Sequence, residues 1–285
     1  MSLLDNHKTF LETDESINFF IDGCKLFNIS LTDELIKKFR FFGKELLRWS
    51  DRYSLTSIKD EKGIITRHFF DSLSILSFIP QKSFLLDIGS GAGFPGIPIK
   101  IVCPDLKMVL LEAKRKKVFF LRHIIRNLKL NNVKAFWGRA EDKKFILDFK
   151  NKFDLVIGRA VTKVEFFLSL AFPYIKEEGL LIWIGSSHQM IGRDIKGYTI
   201  LHQEKILIPF GHSLIILATS SANKKSFIVV PDPIIIPPAS LFAGGLFMPF
   251  PPIPCPSKAI TTFLHASLQI ASFIFFNKSV LSLYV

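Results

Sequence analysis

Cysteine is scarce in this chain. Cys24, Cys103 and Cys255 are the only three, and no two stand close enough for a Cys-x-x-Cys pair. That excludes a disulfide-stapled scaffold and a cysteine zinc site, and it points to a reducing compartment, with the cytoplasm as the expected location. The seven histidines form no His-Glu-x-x-His or His-x-x-x-His pattern, so no bound metal is expected. The polar, acidic opening MSLLDNHKTFLETDES has no basic patch followed by an apolar core, so no secretory signal is read. Charge is scarce at the other end: after Lys225 only Asp232, Lys258 and Lys278 ionise.

Basic charge is abundant elsewhere. The 285 residues carry 37 Lys and Arg against 25 Asp and Glu, a formal charge of +12. All but two of those bases lie in the first 225 residues. An anionic partner and a lysine-rich solvated surface would each account for this. At 48% hydrophobic residues, the chain can also bury a sizeable core.

Three regions follow from the patterning. Residues 1–80 read as a helical N-terminal extension, helical mostly over 15–80. Leu35, Phe39, Phe42 and Leu46 recur at helical spacing and predict one apolar stripe facing a core. Ser30 and Asp33 suggest a capping box, and a further helix is expected from Thr66 to Phe78, stopping before Pro80. Residues 81–220 alternate. Apolar runs at 84–88, 107–111, 133–137, 153–157, 180–184 and 212–218 predict strands, with helical patterns at 114–129 and 163–174 between them. Strands alternating with helices imply a mainly parallel, doubly wound α/β sheet, which binds ligands beyond the carboxyl ends of its strands. Residues 221–285 differ abruptly. Nine of the fifteen prolines lie between Pro231 and Pro256, and 259–276 is an apolar stretch. It is marginal for a membrane span and too apolar for an ordinary linker. A membrane-associated tail, a loosely docked segment and the product of a shifted reading frame are the three readings; the abrupt change favours the last.

The stretch Asp87 to Gly96, DIGSGAGFPG, follows the first predicted strand. Gly91-x-Gly93-x-x-Gly96 matches a dinucleotide fingerprint, but glycines alone do not choose a ligand. Asp87 stands just before them. A carboxylate there suits an ammonium and sits poorly beside a pyrophosphate, which favours S-adenosylmethionine over a dinucleotide. Glu112 closes the next strand, where an acid can accept hydrogen bonds from both ribose hydroxyls of an adenosine. Then come Lys114, Arg115, Lys116, Lys117, Arg122, His123 and Arg126, dense on one helix. Phosphate contact and a solvated face are both open readings. Lys114 and Arg115 lie nearest the cleft and are the better RNA candidates.

These motifs resemble the small-subunit ribosomal RNA methyltransferase G family, formerly glucose-inhibited division protein B. Phe94-Pro95-Gly96 is more specific than the glycines. Trp49 with Tyr53-Ser54-Leu55-Thr56-Ser57-Ile58 resembles the family's Trp…Tyr-Asn-Leu-Thr-x-Ile, with Ser54 in place of Asn. Arg67-His68-Phe69-Phe70-Asp71-Ser72-Leu73, Arg139-Ala140-Glu141 and Gly158-Arg159-Ala160 follow in the family's order. The resemblance covers about residues 17–220.

The resemblance implies a class I S-adenosylmethionine-dependent methyltransferase: a Rossmann-like, mainly parallel seven-stranded sheet with a helical N-terminal extension. It implies methylation of guanine N7 in the 530 loop of 16S rRNA, within the 30S particle or a precursor, with no obligate protein partner. It implies that Gly89, Phe94, Ala140, Glu141 and Arg159 contact the cofactor, with Asp87, Gly91 and Glu112 beside them. Arg139 joins Lys114 and Arg115 as an RNA candidate. Guanine N7 already carries an in-plane lone pair, so no general base is expected. His68 and Asp71 invite an acid/base reading, but fixing the N-terminal helices against the sheet is the favoured role. The family usually closes the fifth strand with Lys-Gly, whereas Ile184 precedes Gly185 here. That departure and the tail keep a degenerate, non-enzymatic rRNA-binding protein as an alternative. A nicotinamide-dependent dehydrogenase is a more distant one, opposed by Asp87.

Overall fold

A computed structural model describes residues 9–159, 163–186, 194–195, 198–208 and 211–219. The apolar tail at 221–285 lies outside the described residues, as does Ala160. Among the described residues, no helix is long and apolar enough to cross a membrane.

The N-terminal helices begin where their side chains can cap them. Helix α1 spans Asp14–Lys25, and the Thr13 hydroxyl accepts the Ser16 N–H. Helix α2 spans Asp33–Tyr53 and starts from Thr32, whose hydroxyl accepts the Leu35 N–H at 3.3 Å. Thr32, not Ser30, is therefore the cap. Asp33 and Glu34 fill the first turn, where a carboxylate meets the positive end of the helix dipole. The helix expected from Thr66 starts earlier. Asp60 caps α3 (Glu61–Ile64) by accepting the Gly63 N–H at 2.5 Å. A π-helical stretch, Ile65–Phe70, and a short α4, Asp71–Leu73, continue it. A 3-10 turn at Leu76–Phe78 ends just before Pro80. The hydroxyls of Thr66, Ser72 and Ser74 bond back to main-chain carbonyls of Lys62, His68 and Asp71, which competes with regular helical bonding through this segment.

The sheet follows from the alternating pattern. Strands β1 (Phe84–Ile88), β2 (Lys107–Glu112), β3 (Val133–Trp137), β4 (Phe153–Arg159) and β5 (Ile175–Ser186) are parallel. Helices α5 (Gly96–Val102), α6 (Arg115–Asn127), α7 (Lys143–Phe149) and α8 (Val164–Ala171) connect them. Strands β6 (Asp194–Ile195), β7 (Tyr198–Ile208) and β8 (Gly211–Thr219) complete the sheet antiparallel, in the order β3-β2-β1-β4-β5-β8-β7-β6. The two-residue β6 makes eight strands rather than the expected seven. Strand β7, whose centre reads His202-Gln203-Glu204-Lys205, had no apolar run to announce it.

Residues of β1 to β5 alternate between two cores, as period-2 geometry requires. Leu85, Leu110, Leu155 and Ile182 face one core with the N-terminal helices, α5 and α6. Leu86, Val109, Val156 and Leu181 face the other with α7 and α8. The predicted stripe is the centre of the first: Phe39, Phe42 and Leu46 are fully buried. The Phe42 ring lies 5.7 Å from Phe69, 5.2 Å from Phe94 and 6.2 Å from Phe120. One side chain thus joins α2, the π-helical segment, the glycine turn and α6.

Phe42→Ala should therefore cost about 3–5 kcal/mol of stability, the range for deleting a buried phenylalanine. Denaturant unfolding followed by circular dichroism measures it, and a loss under 1 kcal/mol would show that this contact does not bind the helices to the sheet.

Candidate functional site

The strand order reverses between β1 and β4, so the crevice at their carboxyl ends is where a ligand can enter. The glycine turn rises there from β1. Gly89, Gly91 and Gly93 have φ of 71°, 58° and 97°, the left-handed region that favours glycine. At Gly96 a Cβ would meet Leu110 Cδ2 at 2.5 Å and Asp87 Oδ2 at 2.7 Å. Only glycine lets its N–H reach the Asp87 carboxylate, which accepts it at 3.1 Å.

Asp87 is fully buried. Oδ2 takes the Gly96 N–H, while Oδ1 has no hydrogen-bond partner among the described residues. Burial raises the carboxyl to about 7, against the Gly96 N–H and the nearby Ser90 hydroxyl, which both lower it; Glu112 pushes up and Arg159 pulls down. The strand end next door carries the counterpart. Arg159 closes β4, paired to β1 through Gly158 opposite Ile88. Its Nε donates to Asp71 Oδ2 at 2.8 Å, its Nη2 donates to the Arg67 carbonyl, and its Nη1 is buried without a partner among the described residues.

The N-terminal motifs reach the same place. His68 Nδ1 lies 3.4 Å from Arg159 Nη2, and His68 Nε2 lies 2.8 Å from Thr56 Oγ1. A guanidinium can only donate, so Nδ1 accepts and Nε2 carries the proton toward Thr56. Burial, with Arg159 adding to it, pushes the imidazole down to about 3, which keeps it neutral. Its ring stacks on Phe94 at 4.4 Å and 14°. Thr56, His68, Asp71, Phe94 and Arg159 come from four separate motifs and form one contiguous contact chain.

The other expected residues gather at the ends of β2 and β3. Glu112 is buried; Oε2 accepts the Gly91 N–H at 2.9 Å and Oε1 accepts the Lys114 N–H at 2.6 Å. Each oxygen keeps a second acceptor position, so the pair can still receive two hydroxyls. Ala140 is buried, with its carbonyl accepting the Tyr174 hydroxyl, and Glu141 is exposed beside it. Lys114, Arg115 and Arg139 are all exposed along this rim. Two neighbours had not been singled out for the site. The Lys117 ammonium lies 3.7 Å from where a Gly91 side chain would start. Trp137 is 60% exposed, donates to the Ala113 carbonyl, and has the Arg115 guanidinium 5.5 Å from its ring. Nothing in the sequence marks the latter, because a tryptophan closing an apolar run is usually buried. Ile184 sits opposite Arg159 in register and is buried in the first core.

Relatives bear on this site. A protein of Acetivibrio thermocellus named "Ribosomal RNA small subunit methyltransferase G" is 38% identical over 183 residues, 64% of this chain and 76% of its own length. One of the same name from Lachnoclostridium phytofermentans is 39% identical over 165 residues, 57% of this chain and 68% of its own. A solved S-adenosylmethionine-dependent methyltransferase from Aquifex aeolicus, 14% identical, superposes with a TM-score of 0.46 over 59% of this chain and 97% of that one. Residues 35–209, more than half of the chain, match the family described as rRNA small subunit methyltransferase G. With that match running from α2 to the end of β7, the chain belongs to the rRNA small subunit methyltransferase G family, whose members depend on S-adenosylmethionine.

Proposed function

We propose that this chain transfers a methyl group from S-adenosylmethionine to N7 of a guanosine in the 530 loop of 16S rRNA, within the 30S particle or a precursor. The observation that carries the cofactor end is the pair of unsatisfied buried atoms, Asp87 Oδ1 and Arg159 Nη1. Buried polar groups are rarely left without partners. One acceptor of negative charge and one donor of positive charge, on neighbouring strand ends, match the ammonium and carboxylate of an amino acid. The residues present therefore fit the methionine end of the cofactor. Asp87 would hold the ammonium and Arg159 the carboxylate. Gly89 and Gly91 would allow close approach of main chain, Phe94 would wall the crevice, and Glu112 would accept the ribose hydroxyls. Ala140 and Glu141 would meet the adenine edge. Lys114, Arg115 and Arg139 would contact RNA phosphates.

When bound, the cofactor supplies an electrophilic methyl group on a sulfonium. The chain's own task is alignment. Guanine N7 needs no deprotonation, so rate comes from holding the acceptor in line, a proximity effect. The condition of His68 supports this reading: it is held neutral and both ring nitrogens are engaged, by Thr56 and Arg159. His68 and Asp71 then act as positioning residues that fix Arg159. Membership of the family sets the dehydrogenase alternative aside, and turnover separates an enzyme from a degenerate RNA-binding protein.

Two outcomes follow. Cofactor affinity should depend on pH through Asp87, whose carboxylate form pairs with the ammonium. With its carboxyl raised to about 7, affinity should be full above that pH and fall up to about tenfold per unit below it. Titration calorimetry between pH 5.5 and 7.5 checks this. Asp87→Asn should bind more weakly with a flat profile, and a wild-type profile that is already flat would refute the pairing. For the acceptor, purified protein with labelled cofactor should methylate 16S rRNA or 30S particles at one guanosine, detected by borohydride and aniline scission at 7-methylguanosine. Label on another atom, or on none despite cofactor binding, would overturn the N7 assignment.

A further inference from the structure

Helix α6 carries a second stripe, one that the cofactor crevice does not use. Lys116, Phe119, Arg122, His123 and Arg126 recur at helical spacing of three and four residues. Facing them are Trp49 and Tyr53 from the last turn of α2, and together they line a groove of about 670 Å³. None of the lining side chains is acidic. Phe119 is 48% exposed, too open for a core residue. Behind the lining, a buried acid holds two of the rings in place: Glu45 Oε2 accepts from His123 Nε2 at 2.6 Å, Arg48 Nη2 at 2.6 Å and Trp49 Nε1 at 3.2 Å. Cations flank the rings. Lys116 Nζ lies 5.7 Å from the Tyr53 centroid, Arg52 lies 5.6 Å from the same ring, and Arg115 lies 5.5 Å from Phe119.

We infer that this groove is an RNA-anchoring site that takes an unpaired segment of the substrate outside the cofactor crevice, its base stacked on Phe119 and Tyr53 and its phosphates on Lys116 and Arg126. The inference rests on the rRNA-methyltransferase reading and adds where the RNA is gripped. A merely solvated helix face would have no reason to leave a phenylalanine exposed between bases. A groove for an apolar peptide would not be ringed by cations. Alternating aromatic faces and cations suit single-stranded nucleic acid, in which every base offers a π-face and every linkage a negative charge. The stripe begins one residue beyond Arg115, so the anchored strand would continue onto the rim of the crevice.

The test measures binding of deproteinised 16S rRNA and of poly(A) to the full chain across a salt series, beside cofactor binding by calorimetry. Phe119→Ala, at an exposed position, should weaken both RNAs at least about fivefold while leaving the salt slope unchanged. Lys116→Gln with Arg126→Gln should weaken both RNAs and flatten the slope of log affinity against log salt by about one per residue. Cofactor affinity should be unaffected in both variants, which also reports that they fold. Wild-type RNA affinity and slope in these variants would overturn the site. So would loss of binding to 30S particles with RNA affinity intact, which would assign the groove to a ribosomal protein. A wild-type chain that binds RNA through the groove yet transfers no methyl group would sink the proposed activity and leave the groove standing.

Discussion

The site depends on a carboxylate that has been taken out of water and left half satisfied. Asp87 ends β1 with one oxygen on the Gly96 N–H and the other on nothing described. Its surroundings are arranged to permit this. The glycine turn must rise steeply in left-handed conformations, and Gly96 must lack a side chain, or the carboxylate and the α5 terminus could not meet. The arrangement is unfavourable for the empty protein. A carboxyl raised from the ordinary range to about 7 favours the folded state's protonated form, so stability falls as pH rises through that window and the whole penalty is present above pH 7. A bound ammonium would remove the penalty. Folding energy forgone at Asp87 would then be recovered on ligand binding, so the buried orphan oxygen supports a site rather than a defect.

The second constraint is the chain of contacts running from Thr56 through His68 to Arg159 and Asp71. The π-helical stretch brings the Arg67 carbonyl and the His68 ring to the end of β4. Widened turns of this kind recur where a helix must present groups irregularly. A guanidinium alone at a strand end would be free to adopt many rotamers. Here Asp71 takes Nε and Arg67 takes Nη2, so Nη1 is the donor left over and its direction is set. The N-terminal helices thus build one wall of the crevice proposed for the cofactor, and Phe42 is the packing link that keeps them against the glycine turn.

Much of this was legible in the residues. Helical spacing placed Phe39, Phe42 and Leu46 in a core, and the apolar runs located β1 to β4 to within two residues at each end, whereas β5 begins five residues before its apolar run. The motifs also appeared in their correct order. What the sequence could not express was convergence: Thr56, His68 and Arg159 are far apart in the chain, and only the packing shows that they touch. Strand β7 was missed because its pairing with β8 follows from backbone hydrogen bonding, whereas its centre is polar. Ser30 and Thr32 both satisfy the local capping rule, and the start of α2 at Asp33 selects Thr32. Trp137 and Phe119 were unremarkable as letters, since an aromatic in an apolar pattern is usually buried.

Ile184 is the residue on which a functional doubt first rested, and its placement separates two questions. It lies opposite Arg159 but is buried and belongs to the first core, so an apolar side chain suits its surroundings and costs nothing in desolvation. Exposed bases lie elsewhere, on α6 and at the β3 end, where they would supply the charge that the proposed RNA binding needs. The two kinds of charge work over different ranges. Exposed cations act at a distance of about 8–10 Å before salt screens them, which suits capture of a polyanion. They would also repel a cofactor carrying a sulfonium and an ammonium. The carboxyls of Asp87 and Glu112 are buried within the crevice and far less screened, so beside the turn they act at short range, together with Arg159 and Lys117. A basic surface and a seat of mixed charge can therefore coexist a few residues apart, differing in depth and range.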